Sequence, residues 1–194
     1  MNRLIIESST TQASMALFLG KELLAEESFP SGRGPQSRFF SILETMLEQV
    51  ETVEELIVGV GPGSYSGIRI GISAIIGLQL ARGIVAHGIH SAFGYSGTDF
   101  QVILDARGSY IYSAIRANLL AEGPTHCNRE ELEGKIDPFL PIFSPNSIPG
   151  FEFPQTFPLA SILGERLTSG NITADLPLQP LYLKAPHITL PKTK

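Results

Sequence analysis

Three stretches of this chain hold residue types that do chemistry. Glu7-Ser8-Ser9-Thr10 sets a carboxylate and three hydroxyls in succession after a short apolar run. Such a group can donate to a phosphate through its hydroxyls. It can also close on itself, because Ser and Thr hydroxyls readily bond the backbone of their own turn. Gly61-Pro62-Gly63-Ser64, with Gly67 beyond, follows the apolar run Ile57–Val60 and precedes a long apolar segment. A strand, a Gly/Ser turn and a helix start cradle an anion when amide N–H groups and helix dipole point the same way. The spacing here is G-x-G-x-x-x-G, which matches neither the P-loop nor the dinucleotide fingerprint. It favours a tight structural turn, for which the same glycines serve.

The third group is scattered: His87, His90, Asp105, Arg107 and the pair His126-Cys127. A metal needs its ligands on one face. His87 and His90 end a predicted strand, where a three-residue spacing sends side chains to opposite faces. No metal site is expected. Asp105 belongs to a hairpin turn and is expected to bond backbone two residues on. No Ser-His-Asp or Cys-His constellation stands in the required order, so no catalytic residue is assigned.

The elements that must position these groups follow from pattern. Leu4–Glu7, Ala13–Leu19 and Glu22–Phe29 read as strands, with Gly20-Lys21 a tight turn between the second and third. The chain therefore opens with an antiparallel meander. Gln36–Val50 repeats apolar residues at helical period: Phe39, Leu43, Met46, Leu47 and Val50. Phe40 and Ile42 widen that stripe, which suits either packing on two sides of one domain or a partner surface. Gly67–Ala81 is a helix with Arg69 and, just beyond it, Arg82 as its charges, so most of it is expected to be buried. Ser64 or Ser66 can cap its start. Its small residues Gly71, Ala74, Gly77 (or Leu78) and Ala81 fall on one face, where another element can approach closely. Ile84–Ile89 closes a strand–helix–strand unit, which implies parallel pairing. Ser91–Asp99 is a loop. Phe100–Leu104 and Ser109–Arg116 form a second hairpin. Ala121–Pro158 is rich in Pro, Gly and Glu. Leu159–Leu167 is a helix stopped by Gly170, and Leu181–Leu183 a last strand or docking segment. Each half opens with a hairpin, although no sequence repeat links them.

Four of these stretches resemble the TsaB (YeaZ) family: GPGSYSGIRIGISAIIGLQLA from Gly61, LIIESSTTQASMAL from Leu4, LDARGSYIY from Leu104 and PLYLKAPHITLPKTK from Pro180. The glycine motif is the specific one; the others agree in order. The resemblance implies an α/β, actin/Hsp70/sugar-kinase-like fold of two subdomains, the second trimmed. The division expected is 1–98, with the glycine loop and helices, and 99–194, smaller. It implies a non-catalytic partner and activator of a TsaD-like subunit in threonylcarbamoyl transfer to the adenosine beside the transfer RNA anticodon. A TsaE-like ATPase joins the larger complex, and the chain pairs with itself when alone. The partner face it implies comprises Phe39, Phe40, Leu43, Leu47, Ile70, Gly71, Ala74, Gly77, Leu78 and Ala81. The nucleotide or anion loop of the superfamily maps to Glu7, Ser8, Ser9, Thr10, Gly61, Gly63, Ser64 and Gly67. Glu7 stands where the family usually has Asp, which shifts any metal-bound water. No cofactor of its own is expected, and ATP is left to the partner interface. The family's His near the first helix is replaced by Gln36-Ser37-Arg38, and its helix after Ser91 is nearly lost. The competing readings are an autonomous nucleotide-dependent kinase or ATPase of the superfamily, and a metallopeptidase, which the missing His pair opposes.

Composition bounds these readings. A chain of 194 residues with 43% hydrophobic and 17% charged residues can build a core and is not expected to be disordered. One cysteine, Cys127, excludes an internal disulfide and suits a reducing compartment. The first apolar run stops at Glu7, too short for a signal peptide, and no run reaches membrane-spanning length. A cytoplasmic protein without membrane contact is expected. The net charge of −5 argues against strong nucleic-acid binding, so transfer RNA is expected to be held only indirectly. The basic tail, Lys184, His187, Lys192 and Lys194, is the exception.

Overall fold

The computed structural model describes residues 1–31 and 37–183. Its first unit is a mixed sheet of five strands in the order β3-β2-β1-β4-β5. These are β1 (Asn2–Glu7), β2 (Gln12–Leu19), β3 (Glu22–Pro30), β4 (Glu55–Gly59) and β5 (Val85–Ile89). The meander pairs antiparallel, and β4 and β5 join parallel to β1. The expected order βββαβαβ is the one observed.

Helices cover both faces of this sheet. Helices α1 (Ser37–Glu48) and α2 (Tyr65–Arg82) pack on one side, against Leu4, Ile6, Leu56 and Val58. On the other side α4 (Ala160–Thr168) packs against Ile5, Phe18 and Ile57. A strand covered on both faces is apolar at every position, which is why Leu4, Ile5 and Ile6 form an unbroken run. The edge strand β3 instead carries exposed Glu22, Glu26 and Glu27, which guard against pairing with another chain.

The second unit is a four-stranded sheet in the order β8-β7-β6-β9. It comprises β6 (Phe100–Asp105), β7 (Tyr110–Arg116), β8 (Leu119–Cys127) and β9 (Ile142–Phe143), with α3 (Arg129–Lys135) on one face. The stretch Ala121–Pro158, rich in Pro, Gly and Glu, therefore holds most of β8 and a capped helix. Asn128 accepts from the Glu131 amide while the Glu131 side chain accepts from the Asn128 amide. That reciprocal cap was written in the sequence as Asn-x-x-Glu.

The expected boundary at 98/99 separates the two sheets, but not the chain. α4 returns to the first sheet, Gly88 and Leu176 exchange backbone hydrogen bonds, and the Leu181 amide donates to the Val60 carbonyl. Leu181–Leu183 is thus a docking segment. Arg166 on α4 donates to the carbonyls of Tyr95 and Gly97 and to the Asn118 side chain, tying the returning helix to both units. The proposed tail contacts at Lys184, His187, Lys192 and Lys194, and Gln36, lie outside the described residues.

α2 lies so close to the first strand turn that only glycine fits at two of its positions. A Cβ at Gly67 would run into the Ser8 carbonyl oxygen, and one at Gly71 would come within 2.6 Å of Ser8 Oγ. Gly67→Ala must push the helix off a backbone atom that has nowhere to move. We expect it to lower unfolding stability by about 1–3 kcal/mol. An unchanged urea midpoint for this variant would sink the claim of close packing.

Candidate functional site

The first turn and the glycine loop meet where β1, β4 and β5 end. Ser8 Oγ donates to the Gly67 carbonyl at 2.9 Å, and the Ser64 amide donates to the Ser9 carbonyl at 2.6 Å. Gly61, at φ 99°, turns the chain so that its amide donates to Ser91 Oγ and its carbonyl accepts from the Ser91 amide. Ser64 caps α2 by accepting from the Gly67 amide, as its hydroxyl predicted; Ser66 takes no part in the cap. Thr10 bonds locally, its hydroxyl donating to the Gln12 carbonyl.

An anion cradle needs amides aimed at open space. Here the amides of Gly61, Ser64 and Gly67 are each taken by a protein oxygen. Ser8 and Thr10 likewise spend their hydroxyls on carbonyls. Glu7, Ser8, Ser9, Thr10, Gly61, Gly63, Ser64 and Gly67 lie at one locus, and the polar groups just named bond within the protein. These residues lock two loops together.

Glu7 lies beneath these two loops. Its carboxyl is fully buried; Oε1 accepts from the Ser9 amide, and Oε2 has no hydrogen-bond partner among the described residues. A Cβ at Gly59 would collide with it. Burial drives its pKa upward against the smaller, opposing pull of Ser9 and Ser91. A carboxyl held towards its neutral form is a poor anchor for a metal-bound water. His90 is held neutral in the same region, burial lowering its pKa to about 4. Its Nδ1 accepts from the Ala92 amide, which leaves the proton on Nε2. His87 is partly exposed on β5 and makes no pair with it.

A cleft between the two sheets adjoins this locus. It is lined by Ser9, Pro62, His90 and Tyr95 on one side and Val102 and Leu104 on the other. Its space is about 240 Å³, open mouth included, below the roughly 300–1,000 Å³ of small-molecule sites. No Lys or Arg lines it to offset phosphate charge. The residues present do not fit a nucleotide with its metal.

The fold has close counterparts. YeaZ from Pseudomonas aeruginosa superposes with a TM-score of 0.69 at 18% identity, over 94% of this chain and 99% of that one. The chain has the YeaZ fold. An uncharacterized protein with similarity to peptidase YeaZ from Pseudomonas aeruginosa gives a TM-score of 0.71 at 19% identity, again over 94% and 99%. ROK hexokinase from Thermus thermophilus matches at 16% identity over 63% of this chain and 48% of its own, with a TM-score of 0.37. No family model and no curated protein matches the sequence. The α/β architecture is the expected one, with two sheets, the second the smaller. The expected loop Ser91–Asp99 carries the 3₁₀ turn Ser91–Gly94.

The YeaZ fold places the expected partner-face residues on two different surfaces. Phe39, Leu43, Gly71 and Ala74 are buried in the chain's own core and are withdrawn from that face. The small-residue stripe on α2 is an edge, turning inward at Gly71 and outward at Gly77. Gly77 and Ala81 are exposed, and Ile70, Leu78 and Leu47 half-buried. Phe40 is 50% exposed and Leu80, missed by the helical reading, 81%. Its apolar type among exposed helix positions was the available signal. No described helix is long and apolar enough to cross a membrane. Among the described residues no three His, Cys, Asp or Glu side chains cluster as a metal site.

Glu7 gives the site a pH signature. Its folded pKa is raised above the unfolded value, so its contribution is fully present below the unfolded pKa and is lost as pH rises through the folded one. Glu7→Gln removes that loss. The variant's stability advantage over the parent is expected to grow from about pH 5 to about pH 8. Parallel urea titrations would check this; a pH-independent difference would contradict a buried, neutralised Glu7.

Proposed function

We propose that this chain is a non-catalytic partner and activator of a TsaD-like subunit in threonylcarbamoyl transfer to adenosine in transfer RNA. A TsaE-like ATPase completes the assembly. The observation that carries the reading is the closed site: the locus that holds nucleotide in active members of the superfamily is filled by protein-to-protein hydrogen bonds and a buried Glu7. The likeness of fold to YeaZ supports the same reading. An autonomous kinase or ATPase has no observation in its favour, and ATP, if it acts, does so at the partner interface.

The partner face is the side of α1 and α2 that the sheet leaves uncovered: Phe40, Leu47, Ile70, Gly77, Leu80 and Ala81. A Cβ at Gly77 would meet no atom within 4 Å, so a partner helix can lie close there. Exposed apolar area of this kind marks association. In the absence of the partner the same face pairs two copies of the chain. This localises the protein to the cytoplasm, where transfer RNA is modified.

Reconstitution with the TsaD-like subunit, the TsaE-like ATPase and a carbamoyl-adenylate-forming enzyme tests the role. Transfer RNA modification is expected to depend on this chain, which alone hydrolyses ATP no faster than buffer. Gly77→Glu and Leu80→Glu are expected to weaken partner binding by about tenfold or more, with the melting temperature preserved because both sites are exposed. Full modification without the chain would reject the proposal. Ala74→Glu is not a usable variant, since Ala74 lies in the core.

A further inference from the structure

We propose that the floor of the cleft between the two sheets is a binding site for one ordered water, held by Ser9 Oγ, His90 Nε2 and Tyr95 Oη. Six buried side-chain atoms lack a hydrogen-bond partner among the described residues. Three of them are these atoms, and their residues line this one cleft. Ser9, His90 and Tyr95 are only 2%, 4% and 3% exposed, so bulk solvent does not serve them. Buried polar atoms left unpaired are costly, and cavities that stay dry are apolar ones. Three such atoms around one space call for a polar occupant.

Each of the three groups is fixed from outside the cleft. Ser9 stands in the turn after β1, where its amide donates to Glu7 Oε1 at 2.7 Å. His90 follows β5, and its Nδ1 accepts from the Ala92 amide at 3.1 Å, so Nε2 carries the proton and can only donate. Tyr95 follows the 3₁₀ turn, and its ring stacks on Phe143 of β9 at 5.4 Å and 7°. Burial raises the Tyr95 pKa and the Glu7 charge raises it further, so the two side chains are neighbours. The Ser9 and Ser91 side chains pull the Glu7 pKa the other way, which places them at the same carboxyl.

Size and valence decide the occupant. The enclosed part of the cleft is about one water in size, and the rest of its space is mouth. One water accepts from His90 Nε2–H and from one hydroxyl, and donates to the oxygen of the other. Three bonds are the usual number for a buried water. A metal ion is excluded by the protonated Nε2, which has no lone pair to offer. An anion would find no Lys or Arg on the lining and would face the Glu7 carboxyl. The water joins two loops of the first sheet to Tyr95, which packs on the second, and so braces the cleft from inside. The proposal goes beyond the partner role and does not depend on it.

The test joins a double-mutant cycle to proton NMR of the full chain. Ser9→Ala and Tyr95→Phe each remove one hydroxyl and little else. Each is expected to lower the folding equilibrium constant by about fivefold in urea titrations, the loss of one hydrogen bond. The double variant is expected to lose less than the product of the two, because both hydroxyls act through the same water. Water-selective NOE and ROE spectra are expected to show cross peaks, of the sign given by a water that tumbles with the protein, to the ring C–H protons flanking His90 Nε2. Those cross peaks are expected to vanish in the double variant. Stability raised by both single substitutions would mean that the hydroxyls stand unpaired in a dry space and would overturn the proposal. Losses that simply multiply, or no water cross peak at His90, would overturn it equally. Acetamide is the probe for a larger occupant: a saturable shift of the His90 ring signals would make the cleft a site for a carbonyl ligand and reject the water. All of these readouts use the chain alone, so failure of the partner reading and failure of this one are separable.

Discussion

The structure depends on one close contact: the backbone of Ser8 and Ser9 against Gly63 and Gly67. Four polar groups bridge it, with Ser8 Oγ reaching the Gly67 carbonyl and the Ser64 amide reaching the Ser9 carbonyl. The approach is possible because glycine has no Cβ. Its consequences run outward. α2 is drawn onto β1 and β4, the amides that would face an anion are turned inward, and Glu7 is sealed beneath. A burial this complete costs about 1–3 kcal/mol or more for each polar atom left unpaired, and Glu7 Oε2, Ser9 Oγ, His90 Nε2 and Tyr95 Oη are all in that state among the described residues. Burial raises the Glu7 pKa and lowers that of His90, favouring the neutral form of each.

That contact also sorts the surface. With α2 pressed onto the sheet, the helix is buried along Gly67, Ile68, Gly71, Ile72 and Ile75, and the opposite side is left to solvent. The exposed side is small and apolar near Gly77 and Leu80, aromatic and cationic near Tyr65 and Arg69. One helix therefore presents two chemically different surfaces at its two ends. The cleft between the sheets, by contrast, is narrow, and no Lys or Arg lines it.

Some of this was legible in the sequence because it is local. The meander, the two helices after it and the second hairpin follow from period-2 and period-3.6 patterns, and the Ser64 cap from a hydroxyl placed before an apolar run. Other features were legible and passed over. Asn128 and Glu131 spell a capping box, but the surrounding Pro, Gly and Glu hid it. β8 was missed because it lies largely exposed, so its residues alternate poorly. Leu80 was missed because a helical stripe was drawn through small residues. Gly71 and Ala74 were placed on a partner face for the same reason: size alone does not tell whether a small residue meets the chain's own sheet or another molecule.

By itself the sequence determined the order and type of most of the main elements and the α/β class, since these rest on local periodicity and on motifs that span both ends. Tertiary structure alone decided what the meeting is for. Whether an amide faces an anion or a carbonyl, whether Glu7 is charged, and which side of α2 is free depend on what each group touches across more than fifty residues of chain.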